Sequence, residues 1–332
     1  MKVFAHYNDV QPGKVFKQHT VITIGNFDGL HLGHQTLLKA AQKAAQIPDT
    51  GVLAVTFWPN PKMFFSGSND FDYLFTPSQK RAAFAELGID GLLIQAFDHS
   101  FSETSANDFY AQFLRHSLHC KTIIVGDDFR FGKSRSGDTH RLKQMAQGDG
   151  VTVQAAEQVM FESIPISSSR IRDLLKAHGD VEKACAMLGR PYVLDGIIKP
   201  NAQIGSQLGF PTANLNQIEQ VIPKPGVYAG YVWLEGIMPE HHRSYTNPPL
   251  SKLQKAVINI GFRPTIATQT AHSLAIEAHL LDFKSTELYN KKASFYLCHR
   301  IRDEQKFSSR EELKQQIADD IKRCRILQDA KG

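Results

Sequence analysis

Apolar and polar positions follow two alternating periods along the first half of the chain. From residue 20 to about residue 180, short apolar runs are separated by segments whose apolar residues recur at helical spacing. Buried strands that alternate with amphipathic helices are typical of βαβ units and a parallel sheet. The predicted strands are Val21–Ile24, Gly51–Trp58, Gly91–Phe97 and Lys121–Val125, and the predicted helices are Gln35–Ala45, Ser78–Leu87 and Ser105–Leu118.

The pattern changes after Gly189-Arg190-Pro191, where strand-like segments are joined by Gly, Pro and Asn. Such a succession predicts an antiparallel barrel. The predicted strands are Tyr192–Lys199, Val227–Leu234, Lys255–Ile260, Leu274–Phe283 and Ala293–Ile301. A last helix is predicted to begin at Ser308–Glu312, with Leu313, Ile317 and Ile321 on one face.

Length and composition agree with two globular domains. The chain has 332 residues, of which 42% are hydrophobic and 21% are charged, and two domains explain this length better than one. The change of pattern places an α/β domain in residues 1–185 and an antiparallel barrel with a C-terminal helix in residues 186–332. Met238–Lys252, which contains Pro239, Pro248 and Pro249, predicts a long exposed insertion between two strands.

Charge, cysteines and hydropathy exclude several classes of protein. The 38 basic and 33 acidic residues are scattered, so the chain has no basic arm for nucleic acid, and anionic small molecules are the expected partners. The four cysteines form no C-x-x-C pair, which argues against a zinc site or a disulfide framework. No segment has the pattern of a signal peptide or a membrane span. We therefore expect a cytoplasmic protein without membrane partners, as a monomer or weak oligomer.

One turn combines glycines with two histidines at the junction between a predicted strand and a predicted helix. Gly29 and Gly33 permit close backbone approach, and His31 and His34 stand three residues apart. Helix N-terminal amides favour an anion, and imidazoles can donate to phosphoryl oxygens as charge builds on a leaving pyrophosphate. These residues predict a site that binds ATP, and the alternative is that the two histidines only pack against the turn.

The string Gly25-Asn26-Phe27-Asp28-Gly29-Leu30-His31-Leu32-Gly33-His34 contains the HxGH signature of the nucleotidyltransferase superfamily. The whole ten-residue string resembles the form of this signature that is found in bacterial bifunctional riboflavin kinases/FAD synthetases. The resemblance implies a Rossmann-like nucleotidyltransferase domain that joins FMN to the adenylyl group of ATP. It implies catalytic roles for His31 and His34, and it places ATP against Gly25, Asn26, Phe27, Asp28 and Gly33.

The loop Gly126–Lys133 mixes carboxylates, a guanidinium and aromatic rings after a predicted strand. Phe131 can pack on a flat ring and Asp128 can accept a hydrogen bond from a ring imide, whereas the alternative is that its phenylalanines enter the core. Continued to Asp138, the segment is similar to the family's VGxDFRFGxxRxGD string at the FMN site. The resemblance implies flavin contacts for Asp128 and Phe131 and makes Phe65 and Phe109 further candidates, for which a core role is the alternative.

The segment Ile166–Arg172 places three consecutive serines before two arginines. Ser168 and Ser169 can cap a helix, and Arg172 offers a bidentate fork to a phosphate. An ordinary capped helix is the alternative. The segment looks like the second signature of the superfamily, which implies that Ser168, Ser169 and Arg172 hold the phosphates of ATP.

The barrel half carries a second set of candidate residues. Thr212 and Asn214 stand two residues apart behind Pro211, and their oxygens are hard donors that suit Mg²⁺, although a simple turn is the alternative. The string Gly209–Leu215 reproduces the GFPTANL signature of riboflavin kinases. The resemblance implies that Thr212 and Asn214 contact Mg²⁺ and the phosphates of ATP.

Glu277 lies on a predicted strand whose alternation puts it on one face with Ala275 and His279. The surrounding string matches the E-x-H-L-L-D-F pattern of the kinase family. The resemblance implies that Glu277 is the general base that takes the proton from the riboflavin 5′-hydroxyl, and a solvated strand carboxylate is the alternative. It also implies an ATP contact for Gly205 and a flavin contact for Arg302.

These motifs together predict ATP-dependent phosphorylation of riboflavin to FMN in the barrel domain and adenylylation of FMN to FAD in the α/β domain. ATP is the co-substrate and Mg²⁺ the expected cofactor. Pro200-Asn201 replaces the family's His-Gly, and Ser206 replaces an Arg, so an FAD synthetase whose barrel only binds flavin is the alternative. Another nucleotidyltransferase and a flavin-responsive binding protein are disfavoured because neither uses both sets of motifs.

Overall fold

The computed structural model describes residues 1–67, 72–200, 212–263, 273–283 and 288–329. The chain forms two compact units, Met1–Phe71 with Pro77–Ser167 and Asp72–Thr76 with Ser168–Gly332. Apart from residues 72–76, the second unit therefore begins at residue 168, whereas the sequence places a domain boundary between residues 185 and 186. Compact units reflect packing and not independent folding, so the boundary between residues 185 and 186 stays a prediction.

A six-stranded parallel sheet forms the centre of the first unit, as predicted. Its strands are β1 (Lys2–Phe4), β2 (His19–Ile24), β3 (Thr50–Trp58), β4 (Gly91–Ala96), β5 (Cys120–Gly126) and β8 (Thr152–Ala156). They are hydrogen-bonded in the order β1-β4-β3-β2-β5-β8, and all five pairs are parallel. Two short hairpins lie outside this sheet, β6 (Arg130–Phe131) with β7 (Gly137–Asp138) and β9 (Met160–Phe161) with β10 (Ile164–Pro165).

The three predicted helices of the first unit are present with small shifts at their ends, and three further helices were not predicted. The helices of this unit are α1 (Leu32–Ala44), α2 (Pro61–Ser66), α3 (Pro77–Glu86), α4 (His99–Ser102), α5 (Ala106–Asp108) and α6 (Thr139–Ala146), of which α2, α4 and α6 are the unpredicted ones. A π-helical segment, Phe109–Ser117, continues α5. The helix predicted over Ser105–Leu118 is therefore present, but most of it is wound more loosely than an α-helix.

The strand order reverses direction between β2 and β5. The strands β3 and β4 lie on one side of β2, and β5 and β8 lie on the other. Open parallel sheets bind ligands beyond the carboxyl ends of their strands at such a switch point. The turn with His31 and His34, the segment Pro59–Pro61 and the segment Gly126–Asp128 follow β2, β3 and β5, which are neighbours in the sheet. The predicted candidate segments therefore share one edge of the sheet.

The second unit contains the predicted antiparallel barrel. Its strands are β11 (Tyr192–Lys199), β12 (Thr212–Asn216), β13 (Gly226–Leu234), β14 (Gln254–Arg263), β15 (Ser273–Leu280) and β16 (Lys292–Asp303). The barrel closes in the order β11-β12-β15-β14-β13-β16, because β16 pairs with β11. Closure leaves no free sheet edge. Two helices precede the barrel, α7 (Ser168–Asp173) and α8 (Val181–Leu188), and α9 (Arg310–Asp329) follows it.

Serine and glutamate side chains cap the start of α9, as the sequence predicts. The Ser309 hydroxyl accepts a hydrogen bond from the backbone N–H of Glu312 at 3.1 Å. The Glu312 carboxylate in turn accepts hydrogen bonds from the backbone N–H of Ser308 at 2.9 Å and from its hydroxyl at 2.7 Å. These bonds satisfy backbone donors that the first turn of a helix leaves unpaired.

The face by which α9 packs on the barrel is the predicted one, since Leu313, Ile317 and Ile321 recur at helical spacing with its buried residues and Ile321 packs against the apolar core of the barrel. Leu313, Ile317 and Ile321 are only half-buried, and the buried positions are Asp320, Cys324 and Gln328. Each of these polar side chains has a bonding partner on a barrel strand, since Asp320 pairs with Arg302, Cys324 Sγ donates to the Ala256 carbonyl at 3.4 Å and Gln328 donates to the Gly230 carbonyl. Polar groups at these positions are buried because the barrel satisfies them.

The insertion Met238–Lys252 is exposed only in part, because Arg243 and Tyr245 anchor it to the barrel while residues such as Glu240 and Asn247 are exposed. The Arg243 guanidinium donates to Asp195 Oδ2 at 3.0 Å and lies 4.9 Å from the centre of the Trp233 ring. Tyr245 is buried and its hydroxyl donates to Asp195 Oδ2 at 2.7 Å. A charge-assisted bond and a cation–π contact fix the segment on β11 and β13.

The four cysteines are free thiols, of which Cys120, Cys298 and Cys324 are buried. In the part of the chain that the structure describes, no helix is both long enough and apolar enough to cross a bilayer.

Candidate functional site

Two stacked histidines stand at the start of α1 in the first unit. The backbone N–H of His34 donates to His31 Nδ1 at 3.4 Å, so His31 is the N-cap of the helix. The ring centroids are 3.7 Å apart and the ring planes differ by 18°. Because Nδ1 of His31 accepts a hydrogen bond, the proton of the neutral ring lies on Nε2. The pair therefore presents imidazole groups beside helix N-terminal amides, which favour anions.

The surroundings of His34 favour its neutral form. Burial lowers the pKa of His34 well below its ordinary value, and the neighbouring His31 and Lys80 lower this pKa further. A charged imidazole loses hydration in such a place and is repelled by adjacent cations. A neutral His34 ring can stack on His31 without like-charge repulsion, and it keeps one N–H group for an acceptor.

The turn before α1 has a strained backbone that packing holds in place. Phe27, Gly29 and Leu30 have φ angles of +47°, +75° and +42°. Phe27 is fully buried, with its ring centroid 5.3 Å from that of Phe84 and 5.2 Å from that of His34. Left-handed backbone at non-glycine residues is costly and persists where the surrounding contacts enforce it, often beside functional groups.

Gly33 leaves room for the ring of His31. A Cβ atom on Gly33 would lie 3.2 Å from both Cε1 and Nδ1 of His31, which is tighter than an ordinary van der Waals contact. The residues that the resemblance assigns to ATP lie in this turn and the first turn of α1, namely Gly25, Asn26, Phe27, Asp28 and Gly33. Their contacts with ATP stay a prediction.

A buried lysine lies next to this turn, and the sequence analysis missed it. Lys80 of α3 is 5% exposed, and its Nζ donates to the Asn26 carbonyl at 2.7 Å and to Thr56 Oγ1 at 3.4 Å. Burial lowers the pKa of Lys80 to about 8, and the carboxylate of Asp28 partly opposes that shift. The available signal was a lysine in register with the apolar residues of a predicted helix.

The aromatic candidates for flavin binding belong to one chain of rings. The centroids of Phe131 and Phe109 are 5.2 Å apart, and Phe109 lies 6.3 Å from Phe101. Phe97 then connects Phe101 to Phe65 through centroid distances of 5.9 and 5.7 Å. Phe65 is 69% exposed, whereas Phe109 and Phe131 are buried in the core. Flavin contacts for these three rings stay a prediction.

Asp128 is exposed in the turn after β5. A Cβ on Gly126 would lie 2.8 Å from Asp128 Oδ1, so glycine permits this carboxylate to fold back toward the end of the strand. Its hydrogen bond to a flavin stays a prediction.

Ser168, Ser169 and Arg172 lie on α7 in the second unit. Arg172 Nε donates to the carbonyl of Asp72 at 2.6 Å, and the carboxylate of Asp72 pairs with Lys176. The guanidinium therefore helps to hold residues 72–76 in the second unit. Contacts of these three side chains with the phosphates of ATP stay a prediction.

Three polar residues face one another across adjacent barrel strands. Asn214 of β12 is directly opposite Glu277 of β15, and Glu277 is directly opposite Asn259 of β14. One register step of two residues away, Thr212 is opposite His279. Directly opposed residues in antiparallel strands project from the same face with Cβ atoms about 4.5–5.5 Å apart. The structure thus brings the predicted Thr212, Asn214 and Glu277 onto one face.

Asn259 is a member of this row that the sequence analysis did not select as a site residue. Asn259 and Glu277 become neighbours only through the register in which β14 pairs with β15. A sequence without known pairing does not reveal this relation.

Arg302 packs against α9. Its Nε lies 3.0 Å from Asp320 Oδ1 and its Nη2 lies 2.8 Å from Asp320 Oδ2, while the Asp320 side chain is only 4% exposed. The bidentate pair anchors the helix to β16. A flavin contact for Arg302 stays a prediction, and Gly205 lies outside the described residues.

Comparisons with known proteins divide the chain in the same order. A family model described as FAD synthetase matches residues 14–170, and a model described as riboflavin kinase matches residues 188–327. The first match covers five of the six strands of the parallel sheet, all but β1, and the second covers the barrel and most of α9.

Relatives resemble the chain along almost its whole length. A protein of Haemophilus influenzae named bifunctional riboflavin kinase/FMN adenylyltransferase is 33% identical over 310 residues, which cover 93% of this chain and 94% of the relative. The protein of the same name from Escherichia coli is 35% identical over 300 residues, 90% of each chain. That from Pseudomonas fluorescens is 34% identical over 308 residues, 92% of each chain.

Among solved structures, the chain is similar to one described as a macrolide-efflux protein from Streptococcus pneumoniae. The TM-score is 0.81 and the sequence identity is 25%, with 97% of this chain and 98% of that chain covered. The likeness extends over both units, and neither matched family model describes efflux.

Proposed function

This chain belongs to the family of bifunctional riboflavin kinases/FMN adenylyltransferases, and we propose that its two units divide the two reactions between them. The chain phosphorylates riboflavin to FMN and adenylylates FMN to FAD, with ATP as the donor in both reactions. The synthetase model lies over the parallel sheet and the kinase model over the barrel. An FAD synthetase with an inactive barrel is not favoured because the barrel matches the kinase model along its length.

In the first unit, we assign FAD formation to the turn and helix that carry His31 and His34. The phosphate of FMN attacks the α-phosphorus of ATP, and the bond to pyrophosphate breaks. The FMN phosphate is already ionised, so no general base is needed. The two imidazoles donate N–H groups to phosphoryl oxygens as negative charge develops, beside the amides of α1. The reaction therefore depends mainly on positioning and electrostatic stabilisation.

In the barrel, we assign FMN formation to the row of Asn214, Glu277 and Asn259. Glu277 takes the proton from the riboflavin 5′-hydroxyl, the hydroxyl oxygen attacks the γ-phosphorus of ATP, and ADP leaves. The two asparagines flank the carboxylate on neighbouring strands. Their carboxamides can donate hydrogen bonds that orient Glu277 toward the hydroxyl.

The donor set of β12 fits Mg²⁺. Thr212 and Asn214 project from the same face of β12. They are directly opposite His279 and Glu277 of β15, which project from that face as well. Mg²⁺ prefers oxygen ligands and takes most of them from phosphates and water, so one hydroxyl and one carboxamide oxygen suffice from the protein. Within the described residues there is no cluster of three or more His, Cys, Asp or Glu that could hold a metal, and this donor set does not require one. Bound there, Mg²⁺ neutralises phosphate charge during transfer.

Three further expectations concern the surroundings of the enzyme and stay predictions. They are a cytoplasmic location, a monomeric or weakly oligomeric state, and partners limited to small molecules without nucleic acid.

The assignment rests on the stacked histidine pair in one unit and the three-strand polar row in the other. Labelled ATP separates the two reactions, because α-phosphate label enters FAD when FMN is supplied and γ-phosphate label enters FMN when riboflavin is supplied. A His31→Ala/His34→Ala variant should lose only the first incorporation, and Glu277→Gln should lose only the second. Loss of both labels in either variant, with the chain still folded, would contradict the division.

A further inference from the structure

Lysine is rarely buried unless another group compensates its charge. Lys80 is 5% exposed in the interior of the first unit, yet neither proposed reaction requires it. Lys80 contacts the turn of the FAD-forming site, and the contacts it makes there explain why it is buried.

One carbonyl oxygen joins three segments of the chain. The carbonyl of Asn26, in the turn before α1, accepts hydrogen bonds from Lys80 Nζ at 2.7 Å and from Thr56 Oγ1 at 3.1 Å. Lys80 belongs to α3 and Thr56 belongs to β3. A hydrogen bond from a charged donor is roughly twice as strong as a neutral one. Lys80 therefore makes the stronger of the two contacts that fix this carbonyl.

The helix α3 also supports the turn at a second point. Phe84 follows Lys80 by one helical turn and shares its face. Its ring meets that of Phe27 edge-on at 5.3 Å, and Phe27 in turn meets His34 at 5.2 Å. The strained backbone of the turn is thus held by an ammonium group at Asn26 and by an aromatic contact at Phe27.

The charged and titratable groups around the Lys80 ammonium belong to the turn and to α1. The carboxylate of Asp28, in the turn, raises the pKa of Lys80. Lys80 and His31 both lower the pKa of His34 on α1. From β3 the ammonium meets the Thr56 hydroxyl. The carboxylate of Asp28 therefore compensates part of the Lys80 charge, and both groups belong to the immediate surroundings of the turn.

We propose that Lys80 is a positioning residue for FAD formation, which holds the Asn26–Asp28 turn through the Asn26 carbonyl and thereby fixes His31 and His34 for adenylyl transfer. The inference rests on the proposed assignment of FAD formation to the first unit. In this role Lys80 acts through the turn and does not contact the reacting phosphates.

Variants of the full-length protein test this role. Lys80→Met should lower kcat for FAD formation by roughly 10²-fold, the effect expected when catalytic groups shift by about 1 Å. The KM for FMN and the formation of FMN from riboflavin should not change. Thr56→Val removes the weaker contact to the same carbonyl and should cost less activity. The matched control is Lys39→Met, which replaces an exposed lysine of α1 and should leave both activities unchanged.

The pH dependence separates this role from a merely structural one. In the wild type, kcat/KM for FAD formation should fall above pH 8, because the pKa of Lys80 is about 8 and kcat/KM reports the free enzyme. Lys80→Arg keeps a positive charge to above about pH 12, so this alkaline limb should disappear while part of the activity is retained. Thr56→Val should keep the limb.

Wild-type kcat/KM without an alkaline limb, a limb unchanged in Lys80→Arg, or full activity in Lys80→Met would overturn the inference. The first two measurements decide the matter even when Lys80→Met fails to fold. Failure of the proposed function has a different signature, namely a His31→Ala/His34→Ala variant that still converts FMN to FAD.

Discussion

His31 Nδ1 accepts the backbone N–H of His34 at 3.4 Å while the two rings stack 3.7 Å apart. One histidine therefore caps the helix that carries the other, and the cap places the His31 proton on Nε2. The same side chain, His31, therefore belongs both to the helix terminus and to the catalytic pair. A change in the first turn of α1 should alter FAD formation.

Gly33→Ala should reduce FAD formation without destabilising the protein. The new Cβ would lie 3.2 Å from the His31 ring, and the ring must move by a few tenths of an ångström. We expect kcat for FAD formation to fall about tenfold, while alanine favours the helix by up to about 1 kcal/mol. Steady-state kinetics and thermal unfolding measure the two effects. Thr36→Ala, at an exposed position of α1, is the control, and unchanged kinetics in Gly33→Ala would contradict the account.

The lowered pKa of His34 predicts a pH dependence of stability. In the unfolded chain this histidine titrates near the ordinary histidine pKa of about 6.5, so between that pH and its lowered folded pKa the unfolded state binds more protons. The stabilisation is complete above pH 6.5 and is lost as the pH falls toward the folded pKa, with a slope of at most about 1.4 kcal/mol per pH unit. Denaturant unfolding from pH 7.5 to 5.5 should show this slope in the wild type and a smaller one in His34→Gln. His116→Gln, which replaces an exposed histidine, should retain the wild-type slope, and equal slopes in all three proteins would refute the prediction.

Asn259→Ala should impair FMN formation alone. The residue stands directly opposite Glu277 across β14 and β15, and its loss removes a group that orients the carboxylate. We expect kcat for FMN formation to fall by about tenfold or more, with FAD formation from supplied FMN unchanged. Asn247→Ala, at an exposed position of the insertion, is the matched control. Wild-type FMN formation in Asn259→Ala would exclude Asn259 from the kinase site.

Asp320→Ala should destabilise the second unit strongly. It removes the partner of Arg302 from a pair in which the Asp320 side chain is 4% exposed, and breaking a buried ion pair from one side costs about 3–5 kcal/mol. Asp319→Ala removes the neighbouring carboxylate, whose side chain is 51% exposed in its pair with Lys322, and should change stability by less than about 1 kcal/mol. Denaturant unfolding followed by tryptophan fluorescence compares them, since Trp233 lies in the barrel. Similar losses in the free energy of unfolding in both variants would show that the buried pair of Arg302 with Asp320 does not contribute more to stability than an exposed pair.

Sequence periodicity predicted the parallel sheet, the barrel, α1, α3, the helical segment from α5 to residue 117 and α9, because regular apolar spacing reflects burial on one face. It did not reveal three polar anchors, which lie on α9, in the insertion and on α3, and these omissions have a common cause. Asp320 and Lys80 are buried and Arg243 is half-buried, and each is held by a partner from a distant segment, namely Arg302, Asn26 and Asp195. A local pattern cannot identify such a partner.

Some residues of the candidate sites could be recognised from the sequence and others could not, for the same reason. His31 and His34 were recognisable because the strand, the turn and the helix that position them are contiguous in the sequence. Asn259 was not, because its relation to Glu277 depends on the register between β14 and β15.

The most direct test of two separate sites mixes two inactive halves. His31→Ala/His34→Ala supplied with riboflavin and Mg-ATP should accumulate FMN, and Glu277→Gln should form no product from riboflavin while still converting supplied FMN to FAD. Chromatography of the equimolar mixture should show riboflavin converted through FMN to FAD. A mixture that forms no FAD, although each variant retains its own reaction, would contradict the account.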